Sequence, residues 1–312
     1  MKIFDFFRGT IGIDPGSEYL RIIQDDKIVF DERSQLSIGI DNKVRAIGNK
    51  VMKNEKIVLR PINYSIDDFA AFELMLRGAV SKIPGYKSLK SYKMFFAVPT
   101  GISEVEKRAY KDSGEHAGAL EVYMIYQSIA ASVGLSLMEK GNYILIDIGA
   151  NKISINVFAD AMIVSEGHIR IGTQRLFDAL KRSLLNYSIY ISEVEEPQRL
   201  IKNIYTKSEI KIGFKSVKTL ELRELLEHYF YVIKDVIHET IEKIEHHPQF
   251  NKIVANGIYV IGGGAKIEGL YEQLHPEVFL NYQISQTPEY DTIKGLGKII
   301  EEKEKYKTYL FF

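Results

Sequence analysis

One short pattern appears twice in this chain and constrains its fold more than any other feature. An apolar, strand-like run ends in an aspartate, a glycine follows two residues later, and two further strand-like runs come after it. In the first copy the runs are Thr10–Asp14, Tyr19–Ile23 and Lys27–Phe30, with a turn at Pro15–Gly16. In the second they are Asn142–Asp147, Ile153–Phe158 and Met162–His168, with Gly149 in the turn. Short apolar or alternating runs punctuated by Pro and Gly are strands, and three in succession make a meander. Such a unit occurring twice in 312 residues predicts two similar halves, each founded on a meander. Read at about 150 residues per domain, the length has room for two.

The intervening sequence supplies helices and further strands. Residues 66–80 space Ile66, Phe69, Ala70, Phe72, Leu76 and Val80 as one apolar helical face. Met94–Val98 reads as a strand, Ser103 with Glu106 as a capping box opening the next helix, and Val122–Ile125 as a short strand. Ser128–Leu137 follows as a helix of small residues. In the second half Arg175–Leu185 is helical by its spacing. Glu221–His246 forms a long amphipathic helix stopped by Pro248. Ile258–Ile261 is a strand running into Gly262–Gly263–Gly264, with a helix expected over Glu268–Leu274. The tail from Lys294 mixes a charged helix with an apolar end, Tyr309–Phe312, which reads equally as a second anchor or a subunit contact.

Composition narrows the function classes. With 41 Lys+Arg against 41 Asp+Glu, the chain lacks the basic excess that non-specific nucleic-acid binding requires. No run approaches the ~20 apolar residues of a membrane-spanning helix, and no secretory signal pattern opens the chain. With 0 Cys there is neither a disulfide framework nor a thiolate metal site, which fits a cytoplasmic protein. The 7 histidines show no metal-ligand spacing. The first eight residues, MKIFDFFR, place Ile3, Phe4, Phe6 and Phe7 on one helical arc and Lys2, Asp5 and Arg8 on the other. A helix this short needs a surface to hold it. That surface is either the protein's own body or a polymer neighbour, or else a lipid boundary.

The repeated aspartates carry the chemistry. A carboxylate at a strand end, with a glycine beside it, suits a divalent cation holding a polyphosphate, because backbone N–H groups can then approach the phosphates. Ser17 adds a hydroxyl, and the Gly262–Gly264 cluster permits flat packing of a base or ribose. Taken singly, each piece is what ordinary turns are made of. Their collinear order is more telling: meander, helices, meander, long helix, then strand, triple glycine and helix.

In that order the local wording resembles the MreB-like bacterial actins of the actin/Hsp70/sugar-kinase superfamily. Gly12–Ile13–Asp14–Pro15–Gly16–Ser17 is similar to the family's first phosphate loop, and Leu145–Ile146–Asp147–Ile148–Gly149 to its second phosphate strand. Val98–Pro99–Thr100–Gly101 followed by Glu104–Ala109 resembles the strand-to-helix segment of the first lobe. Gly257–Ala265 resembles the adenosine motif, continued by Gly269–Leu270. The resemblance runs along essentially the whole chain.

It implies an α/β, actin-like two-lobed ATPase fold, each lobe built on an RNase H-like sheet flanked by helices, with ATP and Mg2+ between the lobes. The expected divisions are an amphipathic segment 1–8, a first lobe 9–140 with a small subdomain about 31–80, a second lobe 141–297, and a C-terminal helix and tail 298–312 that either packs back or lies peripheral. Asp14 and Asp147 would flank the metal. Gly16, Ser17, Glu18 and Tyr19 would form the first loop, Gly149, Ala150, Asn151 and Lys152 the second, and Gly262, Gly263, Gly264 and Ala265 would pack on the adenosine. Lys202 falls where the family carries a lysine near the nucleoside, although Arg199 replaces the usual glutamate partner.

Gln127 stands where the family places its water-positioning glutamate. A neutral amide also orients water, so the resemblance implies slow hydrolysis with Gln127 and Asp147 as the catalytic pair. The second loop departs most: Ala150, Asn151 and Lys152 replace two glycines and a threonine. This restricts backbone approach, and it brings a positive charge that either neutralises a phosphate or points to solvent. Gly172–Thr173–Gln174 likewise replaces a Gly-Gly-Asp. The expected partners are further copies of the chain in a filament, the inner face of the cytoplasmic membrane reached through Ile3, Phe4, Phe6 and Phe7, and cell-shape and cell-wall synthesis proteins, with no nucleic acid. The competing expectation is a degenerate actin-like scaffold that assembles without nucleotide hydrolysis.

Overall fold

The computed structural model describes residues 8–52, 54–86, 91–190, 195–212, 214–267, 270, 274 and 281–312. The chain divides into two compact units, one formed by the residues up to Met138 together with Tyr290–Phe312, the other by Glu139–Glu289.

In the first unit β1 (Arg8–Pro15), β2 (Tyr19–Gln24) and β3 (Lys27–Arg33) form the expected antiparallel meander. β7 (Ser91–Val98) joins β1 in parallel, and β8 (Ala119–Tyr126) joins β7, giving the order β3-β2-β1-β7-β8. A separate small sheet holds β4 (Leu36–Ile38) between β5 (Val44–Ile47) and β6 (Val58–Leu59). Two helices, α1 (Phe69–Ser81) and α2 (Glu104–His116), share the core of this unit, and α3 (Gln127–Gly134) follows β8 directly. The capping box is present as read: Ser103 accepts from the Glu106 amide while Glu106 accepts from the Ser103 backbone. Helix α1 begins later than the apolar spacing suggested. Asp68 caps it by accepting from the Ala71 amide, so Ile66 lies before the helix and Phe69, in its first turn, is 45% exposed.

The second unit repeats the plan. β9 (Tyr143–Ile148), β10 (Ile153–Ala159) and β11 (Met162–Ile169) form the meander. β14 (Ile258–Ile261) and β15 (Tyr282–Ile284) extend it in parallel, in the order β11-β10-β9-β14-β15. The likeness reaches details no spacing rule could show. Each meander has a register shift in its second hairpin, at Ile22/Ile23 and at Val157/Phe158. Each closes that hairpin with two residues at positive φ, Asp25–Asp26 and Asp160–Ala161, as the right-handed twist of paired strands favours.

Around the second sheet lie α4 (Thr173–Leu185), α5 (Glu195–Thr206), the hairpin β12 (Glu209–Ile212) and β13 (Lys215–Lys218), α6 (Leu220–Glu242) and α7 (Phe250–Asn256). Helix α6 ends before His246, because the chain ahead of Pro248 tightens into turns such as Ile244 N–H to Ile241 O and His247 N–H to Ile244 O. Of the helix expected over Glu268–Leu274, only Leu270 and Leu274 fall among the described residues; both are buried.

The largest difference from the sequence boundaries is at the end of the chain. α8 (Asp291–Glu301) belongs to the first unit, not to a second lobe running to 297. It lies so close to α3 that a Cβ on Gly295 would sit 1.7 Å from the Ala130 carbonyl oxygen, and one on Gly134 would sit 2.2 Å from that of Asp291. Only glycine at both positions permits that approach. Within the apolar tail, Phe311 forms a backbone bridge to Met124 on β8, while Phe312 stays 73% exposed.

Candidate functional site

Each unit brings its strand-end aspartate into a distinct setting. In the first, Asp14 sits near the end of β1 with 6% of its surface exposed. Its Oδ1 accepts from the Gln127 side-chain amide at 3.4 Å, so the two residues the sequence singled out for metal and water are neighbours. Burial pushes the Asp14 carboxyl up from its ordinary range. The Arg21 guanidinium and the Gln127 amide oppose that shift, and the nearby Asp31 adds to it. Arg21 pairs with Asp31 at 3.0 Å and lies between the Tyr19 and Tyr290 rings, 5.2 and 5.1 Å from their centroids. No motif pointed to Arg21, Asp31 or Tyr290. The only signal was a charged residue inside an otherwise apolar strand.

The first loop is a tight turn. The Gly16 amide donates to Tyr19 O at 3.0 Å, and a Cβ on Gly16 would sit 2.8 Å from that same oxygen. Ser34 donates through its Oγ to Gly16 O at 2.5 Å and through its N–H to Glu18 O at 2.9 Å. The Glu18 carboxylate is engaged by Arg33 at 2.7 Å, with Arg60 at 3.8 Å. The structure therefore ties the Glu18 side chain to its own small pocket, beside half-buried Ser17.

In the second unit Asp147 stands at the end of β9, opposite Ser154 on one side and Ile261 on the other. It is half-buried. Gly262 follows Ile261 at φ +84, where a Cβ would lie 2.2 Å from Asp147 Oδ1 and 2.6 Å from Ile148 O. Glycine is thus required for β14 to end beside that carboxylate. Gly264 is pressed equally against Ile148, Ala265 is buried, and Gly263 has open space where a side chain would be.

The altered loop closes with the Gly149 amide donating to Lys152 O at 2.9 Å. Its carbonyls also cap α4: the Thr173 amide donates to Gly149 O at 3.1 Å and the Gln174 amide to Ala150 O at 2.8 Å. Gly172 makes this docking possible, since a Cβ there would meet Ala150 O at 2.2 Å. Two first-turn amides of α4 are thereby committed to the loop rather than to a ligand. Asn151 and Lys152 are half-buried.

Lys202 lies on α5. Ile3, Phe4, Phe6 and Phe7 lie outside the described residues. Among the described residues no three His, Asp or Glu side chains converge as a metal cage, and no helix is long and apolar enough to cross a membrane.

The model of the family described as MreB/Mbl protein matches residues 8–308. The chain belongs to the MreB/Mbl family. It is 25% identical to the cell shape-determining protein MreB of Escherichia coli strain K12, over 99% of this chain and 98% of that one. With the cell shape-determining protein Mbl of Bacillus subtilis strain 168 it shares 23% identity, over 96% and 98%. Among solved structures, MreB5 of Spiroplasma citri bound to AMPPNP superposes with a TM-score of 0.81 at 20% identity, covering 96% of this chain and 98% of that one. The MamK double helical filament gives 0.72 at 16% identity, covering 94% and 99%. The fold is therefore actin-like, and the family is that of the cell-shape cytoskeleton.

Proposed function

We propose that this MreB/Mbl-family protein is a filament subunit that binds ATP with Mg2+ through the strand-end loops of its two units. In this reading it hydrolyses the nucleotide slowly and assembles at the inner face of the cytoplasmic membrane, where it helps organise cell-wall synthesis. The observation that carries the nucleotide reading is the Gln127 amide on the buried Asp14 carboxylate. It is supported by relatives of the same fold, one bound to AMPPNP and another to ADP.

A divalent cation suits these residues. Asp14 is desolvated enough for its carboxyl pKa to rise, and a bound cation would offset that cost. Two strand-end carboxylates fit Mg2+, which keeps waters and phosphate oxygens as ligands beside one or two carboxylates. Asp14 and Asp147 would hold it, and it would supply charge neutralisation to the phosphates. Gln127 would orient the attacking water through its amide while donating to Asp14. Lys152 would lend positive charge where the side chains of Ala150 and Asn151 restrict close backbone approach to phosphate. Self-assembly is supported by the MamK filament's shared fold. Membrane attachment is supported by the apolar arc Ile3, Phe4, Phe6 and Phe7, weak per subunit and multiplied along a filament.

The test is ATP binding and phosphate release by purified protein, wild type against Asp147→Ala, with electron microscopy of the ATP-loaded sample. Filaments and Asp147-dependent phosphate release are expected. Undetectable ATP binding, with no phosphate released by either protein, overturns the nucleotide reading in favour of a scaffold. Liposome co-sedimentation that is unchanged on deleting residues 1–8 overturns the membrane reading.

A further inference from the structure

The returning segment, residues 290–312, grips the helix that carries Gln127 from both ends. At the far end of α3, the Lys298 ammonium donates to Gly134 O at 3.0 Å and to Val133 O at 3.4 Å, the latter also accepting from the Ser136 amide at 3.1 Å. In the middle, Gly295 lies against Ala130. At the near end, α9 (Lys303–Tyr306) leads the chain to the outer edge of β8.

β8 is the last strand of its sheet, and the bridge to Phe311 is the one pairing on that outer edge among the described residues. Both bonds of the bridge are made: Met124 N–H to Phe311 O at 2.8 Å and Phe311 N–H to Met124 O at 3.0 Å. The Phe311 ring packs on Tyr126 at 5.0 Å between centroids, and Phe312 packs on Tyr123 at 5.0 Å. Lys303 sits 3.8 Å from the Tyr123 ring centre and Lys107 5.4 Å from that of Phe311.

Tyr126 is the N-cap of α3 with no side-chain cap bond, and Gln127 is the first helical residue. With no side-chain cap, the start of this helix rests on how the end of β8 is held, by β7 through the Val98–Tyr126 pair on one edge and by Phe311 on the other. The same segment also reaches the other member of the pair. Tyr290 donates to Asp31 Oδ2 at 3.1 Å and covers Arg21, whose charge acts on Asp14.

We propose that Phe311 and its bridge to β8 form a strap that positions the Gln127 amide over Asp14. The last residues of the chain are then positioning residues for the water that attacks the nucleotide. The role in hydrolysis rests on the nucleotide reading above, whereas the strap itself can be tested without nucleotide.

The probe is full-length protein labelled with 15N-glutamine, comparing wild type, a deletion of residues 310–312, Phe311→Ala and Phe311→Tyr. The Gln127 side-chain NH2 signal is assigned by its loss in Gln127→Glu. In the deletion and in Phe311→Ala that signal is expected to move towards free glutamine, and amide exchange over 126–129 to accelerate. Exchange in α4 and α6 stays unchanged, and Phe311→Tyr restores the wild-type signal. An unmoved Gln127 signal in the deletion, with exchange unchanged, overturns the strap. So does a loss of protection across the whole unit that Phe311→Tyr fails to rescue.

Where wild type releases phosphate, the deletion is expected to lower the rate about tenfold with ATP affinity within about twofold, as for a misplaced positioning group. A shifted Gln127 signal in a protein that binds no ATP would leave the strap standing and sink only the nucleotide reading.

Discussion

The two aspartate sites sit on the same sheet topology, with matching hairpins and register shifts, and yet they present opposite surroundings. Asp14 is 6% exposed, accepts one long bond from Gln127, and lies in a field set by Arg21 and Asp31. Asp147 is half-buried, and Gly262 passes beside its carboxylate where any side chain would collide. The first carboxylate is the more deeply buried, and the second lies against a position that only glycine can occupy. A repeated fold thus repeats its hydrogen-bond geometry, while electrostatics belongs to individual residues and diverges between copies.

That contrast can be broken at its strongest point by Gly262→Ala. The new Cβ would meet the Asp147 carboxylate and Ile148 O at a φ of +84, so the expected loss is on the order of 3 kcal/mol in urea unfolding. Gly263→Ala, with nothing within 4 Å of the added carbon, should cost under about 0.5 kcal/mol. Equal effects would show that glycine is not needed beside Asp147.

A smaller effect of opposite sign is expected at the first site. Because burial raises the Asp14 carboxyl above its usual 3.8, the folded chain binds that proton more tightly than the unfolded one. Stability is therefore lost as pH rises from that value through the raised one, and the ionised group is a net cost at neutral pH. Asp14→Asn should raise the melting temperature of nucleotide-free protein at pH 7 while abolishing Mg2+-dependent ATP binding. Asp147→Asn should move the melting temperature less. A lower melting temperature for Asp14→Asn would reverse the assignment of the two environments.

Lys152→Ala sharpens the comparison of the loops. Removing a charge from a loop whose side chains hold backbone back from phosphate should weaken ATP binding about tenfold in a direct titration, and less at high salt. No change in affinity would place Lys152 outside the phosphate site.

The smallest effect lies in the helical layer of the first unit. His116, at the end of α2, pairs with Glu73 on α1 at 2.8 Å, which raises its pKa above 6.5. This stabilisation is full below 6.5 and fades as pH rises through the raised value. His116→Gln should flatten that slope in unfolding measured between pH 6 and 8, by the small amount expected of an exposed, solvent-screened pair. An unchanged slope would remove the pair from the account.

Much of this was legible in the residues because it rests on local rules. The meanders follow from strand periodicity and Pro or Gly turns, and the start of α2 from Ser103 and Glu106, whereas the contact of Gln127 with Asp14 spans 113 residues and appears only in the structure. What was missed depends on partners distant in sequence. The short β12–β13 hairpin has no strong turn signal. Arg21 reads as an interruption of a strand until Asp31 and Tyr290 surround it. Phe311 reads as a sticky tail until Met124 is found opposite.

By itself, then, the sequence determined two meander-based halves and a strand-end aspartate in each, because periodicity and turns are written within a few residues of one another, and a likeness to actin-like proteins, because short motifs keep their order along the chain. Only the tertiary structure decided that α8 and the tail return to the first unit, that Gly172 pins the altered loop onto α4, and that Asp14 is the costly carboxylate. Those outcomes depend on close approach and desolvation, which exist only once distant segments share the same space.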